Sequence, residues 1–131
     1  MTKAPDTVGE IMTVDVVGVS PDDPVESAVR AMVDRDIGSV LVVEGEHARG
    51  IFTERDLARR ILDDAELLKR PIREVMSAPV HSTGKEAEIM QAFDLMNARG
   101  VRRLAVVDAG RLVGIVTERD LLRWVSAVAA E

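Results

Sequence analysis

The stretch GIFTERDL, Gly50–Leu57, returns as GIVTERDL, Gly114–Leu121, with seven of eight letters unchanged and an offset of 64 residues in a chain of 131. The match reaches well past this octet. Glu10–Met12 (EIM) aligns with Glu74–Met76 (EVM), and Val16 aligns with Val80. Ala28, Met32 and Arg35 align with Ala92, Met96 and Arg99, Val42-Val43 with Val106-Val107, and Arg59 with Arg123. No gap is needed anywhere between Met12 and Arg59. A slip of one residue in any helix would destroy the match, so each half is expected to copy one supersecondary unit. The chain divides into a first repeat with its N-terminal segment, residues 1–67, and a second repeat, residues 68–131.

Within a repeat the pattern reads β-α-β-β-α. A short apolar strand, Val16–Val19, leads into SPDDPVESAVRAMVDRD. There Ser20 and the aspartates are N-cap candidates, Pro21 and Pro24 suit a first turn, and Val25, Ala28, Val29, Met32 and Val33 mark a helical stripe. Ser39–Val43 is a continuous apolar run that suits a strand buried on both faces. EGEH makes a turn, ARGIF returns as the second strand of a hairpin, and Thr53 opens a helix through Leu62. The segment Asp63–Pro71 reads as a charged connector closed by a proline. One unit lacks the apolar surface to bury both faces of its sheet. Two α/β (α+β) units packed through their sheets about a pseudo-twofold axis would supply it.

Composition narrows the classes. Nearly half the residues (47%) are apolar, enough for a core without staples, and there is no cysteine for a disulfide or a thiolate metal site. The N-terminus MTKAPDTVGEIMT has no apolar signal-peptide core, and no window approaches the length of a spanning helix, so the expectation is a soluble cytoplasmic protein without a membrane partner. A net charge of −6 argues against a nucleic-acid partner. The charge is uneven: residues 1–68 carry 7 Lys/Arg against 15 Asp/Glu, whereas residues 69–131 carry 10 against 8. Halves that share a pattern but not a charge have diverged either in what they touch or by drift of solvated faces.

Thr-Glu-Arg-Asp directly after an apolar strand is first of all a capping box, with Asp in place of the usual Glu. The same geometry suits a ligand. A helix start offers free N–H groups and the positive end of the dipole. Gly50 and Gly114, three residues before each threonine, permit close approach to the backbone. A carboxylate one turn into a helix can bridge two vicinal hydroxyls, as acidic residues do to ribose.

These residues together resemble a tandem pair of cystathionine β-synthase (CBS) domains. The resemblance covers about residues 8 to 127, and the Gly-x-x-Thr-x-x-Asp signature falls in both copies. It implies a non-enzymatic regulatory module with two symmetric clefts between the copies. Such clefts commonly bind AMP, ADP, ATP or S-adenosylmethionine, and their occupancy is signalled to a partner. It places Asp120 on the ribose hydroxyls with Thr117 beside it, and Thr13 and Val16 opposite, Val16 against the base. Asp56 and Thr53 take these roles in the second cleft, with Ser77 and Val80 opposite. Gly38 and Arg102 occupy the position before the buried strand. Arg102 and its neighbour Arg103 are candidates for phosphate, at most one pointing into a given cleft. The alternative is a structural or dimerisation module in which Thr-x-x-Asp only caps helices.

His47 and His81, in different elements and without cysteine, do not make a metal site, and Met32, Met90 and Met96 suit core filling. Trp124 with Leu121, Leu122, Val125 and Val128 makes the last helix apolar over more than one face. That predicts a homodimer burying it. No nucleophile and base at readable spacing and no phosphate loop is visible, and Glu54 and Glu118 read as first-turn acids.

Overall fold

Gly50 and Gly114 show how the fold is put together. A Cβ on Gly50 would stand 2.3 Å from Met76 Sδ and 2.9 Å from the Ser77 carbonyl oxygen; one on Gly114 would stand 2.6 Å from Met12 Sδ and 2.9 Å from the Thr13 oxygen. What approaches each glycine is therefore the chain's own Met-Ser or Met-Thr segment, 26 residues after Gly50 and about a hundred residues before Gly114.

The computed structural model describes residues 5–130. Along the chain run α1 (Val8–Ile11), β1 (Gly18–Val19), α2 (Val25–Arg35), β2 (Ser39–Glu44), β3 (His47–Thr53), α3 (Glu54–Arg60), β4 (Ser82–Gly84), α4 (Ile89–Arg99), β5 (Arg103–Asp108), β6 (Arg111–Thr117) and α5 (Glu118–Ala129), with 3-10 turns at Leu67–Lys69 and Ile72–Glu74. The class is mixed α+β, with two three-stranded sheets ordered β1-β2-β3 and β4-β5-β6. In each sheet the first pair is parallel and the second antiparallel.

Two compact units form. One spans Val16–Val80; the other joins the described residues up to Asp15 to those from His81 onward. This division in space differs from the repeat boundaries at 67 and 68, because the segment leading into each repeat packs in the unit built by the other. Val8 N donates to Ala87 O and Gly9 N to Lys85 O, each at 2.9 Å. The residues 64 further on repeat the pattern, Ile72 N to Asp23 O at 2.8 Å and Arg73 N to Pro21 O at 3.0 Å. Val8 and Ile72 are both wholly buried.

In the Val16–Val80 unit, α2 turns Val25, Ala28 and Met32 onto Val40, Val42 and Phe52, and Leu67, Ile72 and Val75 close the cluster. The other unit packs Ile89, Ala92 and Met96 of α4 against Leu104, Val106 and Val116, with Val8 and Leu121. Each of these side chains other than Ala28 and Ala92 contributes about 1.5–3 kcal/mol by leaving water.

Several details depart from the sequence expectation. β1 is two residues rather than four, because only Gly18 and Val19 find register partners, Leu41 and Val42. Helix α2 starts at Val25, after Pro21 and Pro24 rather than with them: Ser20 and Asp23 close a turn, and the Val25 N–H is taken by Arg70 O at 2.9 Å. Val33 of the expected stripe is 74% exposed, so the buried face is narrower, and Met90, expected in the core with Met32 and Met96, is 53% exposed on α4. Helix α3 ends at Arg60, whose carbonyl accepts from both Asp63 N and Asp64 N. The connector after it is built structure. Arg70 clasps Asp64 through Nε at 2.6 Å and a second nitrogen at 3.1 Å, and Leu67 is fully buried.

Candidate functional site

Each hairpin ends on a threonine that is also the N-cap of the next helix, Thr53 before α3 and Thr117 before α5, both with extended backbone. Asp120 Oδ2 accepts from Thr117 N at 2.8 Å and from Thr117 Oγ1 at 3.1 Å, while Thr117 Oγ1 accepts from Asp120 N at 3.3 Å. Thr53 and Asp56 repeat the arrangement at 3.0, 3.1 and 3.2 Å. Both capping boxes are thus complete, and each uses one oxygen of its carboxylate.

The helix starts themselves are largely satisfied. The first N–H of α5, on Glu118, goes to the Arg102 carbonyl at 3.0 Å, and that of α3, on Glu54, to the Gly38 carbonyl at 3.0 Å. With the third N–H taken by the cap, only that of Arg119 or Arg55 is left without a partner among the described residues. Gly38 and Arg102 therefore serve the helix start through their backbones, whatever their side chains do. Arg102 is an exposed side chain whose Nε lies 3.8 Å from Glu118 Oε1. Arg103 opens β5 opposite Thr117, as Ser39 opens β2 opposite Thr53.

The lead-in segments bring one more hydroxyl to each unit. Thr13 exchanges both backbone hydrogen bonds with Ile115, at 2.9 and 3.0 Å, and Ser77 does the same with Ile51 at 2.8 and 2.9 Å. Glycine is needed next to these bridges for room, since neither Gly50 nor Gly114 has a positive φ. Ser77 Oγ then donates to Asp56 Oδ1 at 3.1 Å. Among the described residues Asp120 Oδ1 has only Arg123 at 3.7 Å, and the Asp120 side chain is 10% exposed.

Thr13, Arg102, Arg103, Thr117 and Asp120 fall in one unit, and Gly38, Thr53, Asp56, Ser77 and Val80 in the other. Val16 belongs to the Val16–Val80 unit and so is not grouped with Asp120. The approach of Met12 and Met76 to the glycines went unread in the sequence, although each methionine precedes the hydroxyl residue in the repeated motif. Trp124 Nε1 donating to Pro5 O at 2.8 Å had no sequence signal. Among the described residues no cluster of His, Cys, Asp or Glu is set to hold a metal, and no helix is long and apolar enough to cross a membrane.

A hairpin that runs into a Thr-x-x-Asp helix start, made twice and each time flanked by a segment from the other repeat, defines a paired-repeat module. The CBS domain family matches residues 8–63 and again 72–127, and the chain belongs to it, carrying a pair of these domains, a regulatory module. The chain is 38% identical over 120 residues to the uncharacterised protein MK0525 of Methanopyrus kandleri, an alignment covering 89% of this chain and 61% of that one. It superposes on the CBS-domain containing protein ATU1752 of Agrobacterium tumefaciens with a TM-score of 0.84 at 26% identity, covering 95% of this chain and 96% of that one. The CBS domain pair of protein MJ0100, solved with 5′-methylthioadenosine and S-adenosyl-L-methionine, superposes with a TM-score of 0.84 at 22% identity, covering 95% of this chain and 99% of that one, a likeness of fold alone.

Proposed function

We propose that this CBS pair is a sensor that binds an adenosine-type ligand, AMP, ADP, ATP or S-adenosylmethionine, and passes its occupancy to a protein partner. Asp120 takes the ribose hydroxyls, with Thr117 and Thr13 beside it and the phosphate end toward Arg102 and Arg103. Asp56, Thr53 and Ser77 are the corresponding group in the other unit, and Val16 and Val80 are assigned to the base. The observation that carries the reading is the Asp120 carboxylate. Its cap fixes Oδ2 and so orients the group, while no hydrogen bond among the described residues reaches Oδ1. The MJ0100 pair adds the precedent of adenosine compounds on the same fold.

Occupancy has a physical route outward. Thr13 lies at the end of the lead-in segment whose backbone is bonded to β6, so a ligand touching both Thr13 and Asp120 favours the arrangement that satisfies both. It shifts the equilibrium only by its difference in affinity for the two arrangements. The reading assigns no reaction to the chain. It includes a homodimer through α5, whose Leu122, Val125 and Val128 are exposed in the single chain. A light-scattering mass of one chain at micromolar concentration removes that element.

Calorimetric titration with AMP, ATP and S-adenosylmethionine tests the proposal. At least one is expected to give saturable heat, and Asp120→Asn to weaken it at least tenfold, the scale of hydrogen bonds to a charged group. Neither heat nor thermal shift from any of the three overturns it. One observation favours the other reading, a structural module without ligand: both oxygens of Asp56 are satisfied within the protein. That reading expects silence in the same titration.

A further inference from the structure

We infer that the two carboxylates are unequal receivers: Asp120 takes a phosphate-bearing ligand, and Ser77 holds Asp56 shut. The inference rests on the adenosine-sensor reading above and adds which unit is loaded and what closes the other.

The repeat supplies its own control, because the two helix starts have the same caps to within a few tenths of an ångström. They differ on the other oxygen. Asp56 Oδ1 accepts from the Ser77 hydroxyl at 3.1 Å, whereas the hydroxyl in the matching place, on Thr13, makes no hydrogen bond to Asp120 among the described residues. Among the described residues the sole partner of Asp120 Oδ1 is Arg123 at 3.7 Å, beyond hydrogen-bond distance and on a side chain that is 73% exposed. A diol reaching Asp56 must first displace a formed bond from Ser77. A diol reaching Asp120 displaces only a loose, solvent-screened ion pair.

Charge separates the units in the same direction. Arg102 and Arg103 precede the cap in one, and Gly38 and Ser39 hold those positions in the other. Among the described residues Arg102 is tied only to exposed Glu118 at 3.8 Å, so its guanidinium is available to an incoming phosphate at little cost. A ligand with hydroxyls and a phosphate thus finds an open carboxylate and a loosely paired Arg102 in one unit, and in the other a closed carboxylate with Gly38 and Ser39 where the arginines stand.

The test is calorimetric titration of the full chain with AMP. The unaltered protein is expected to take one AMP per chain, and Asp120→Asn, which keeps an acceptor for the cap, to weaken that event at least tenfold without loss of the folded state. Ser77→Ala is expected to add a second event, or to strengthen a weak one, by about three- to tenfold, the size of one hydrogen bond. Two equal events in the unaltered protein, an event indifferent to Asp120→Asn, or no gain from Ser77→Ala would each overturn the inference while leaving the sensor reading in place. Absence of binding by AMP, ATP and S-adenosylmethionine alike is a different result, and it removes both.

Discussion

Gly50→Ala puts the docking of the segment that leads into the second repeat onto β3 of the first to a direct test. The added Cβ would lie 2.3 Å from Met76 Sδ, 2.8 Å from Met76 Cγ and 2.9 Å from the Ser77 oxygen. The sulfur can swing away, but the carbonyl is backbone and is held by the Ile51 N–H at 2.9 Å. Relief therefore means pushing the Ser77 segment off β3, losing the Ile51–Ser77 pair and loosening Val75 beneath it. Overpacking of this kind costs about 1–3 kcal/mol, and two backbone hydrogen bonds contribute about 0.5–1.5 kcal/mol each. Alanine returns up to about 1 kcal/mol by restricting the unfolded chain. The net loss is about 1–6 kcal/mol, and at about 3–4 °C per kcal/mol for a chain of this length the melting temperature falls by about 3–24 °C. Gly84→Ala is the control, since nothing lies within 4 Å of its Cβ and its φ is not positive, and it should shift melting by less than about 2 °C. Thermal melts followed by circular dichroism read both. A Gly50→Ala protein that melts with the control would refute the claim that this glycine exists to admit the Met76–Ser77 segment.

Trp124→Phe keeps the ring packed but removes the donation to Pro5 O, and should cost about 1 kcal/mol, seen as a melting shift of about 3–4 °C; an unchanged melt would mean the N-terminal segment is held without it. Hydrogen bonds from the Arg70 guanidinium hold the Asp64 carboxyl below the usual carboxylate range. The stability this pair contributes is present above the unfolded value near 4 and is lost as pH falls through the lower folded value. The melting difference between the unaltered chain and Asp64→Asn should therefore be largest at neutral pH and vanish in strong acid; a difference that grows on acidification contradicts this. Arg102→Ala should weaken AMP several-fold and leave adenosine unchanged, whereas parallel losses for the two ligands would place the phosphate elsewhere.

The repeat was legible because the 64-residue offset survives without a gap, and the order of elements and both capping boxes followed from it. The exchange of lead-in segments was not legible in the residue pattern, and only the family resemblance, which sets Thr13 with Asp120 and Ser77 with Asp56, pointed to it. Val8 with Ile11 and Met12, and Ile72 with Val75 and Met76, recur at helical spacing, but over a single turn among polar residues, too short a run to announce that each fills a core. Leu67 was hidden in the same way, inside a stretch whose charges made it read as a connector. The start of α2 depended on a carbonyl 45 residues away, that of Arg70, which no local cap signal at Ser20 could reveal. The glycines drew attention as points of close approach, but the approaching group was the chain itself. At the candidate site, the cap chemistry could be read from spacing alone. The closing of Asp56 by Ser77 could not, because Thr13 and Ser77 are equivalent in pattern and differ only in where their hydroxyls go.

The most direct measurement is a crystal structure of the protein grown with saturating AMP. The account predicts ribose hydroxyls within hydrogen-bond distance of Asp120 Oδ1, the phosphate on the Arg102 side, and the Asp56–Ser77 bond intact. Density for AMP elsewhere, or none at all beside an unchanged Asp120, would contradict it.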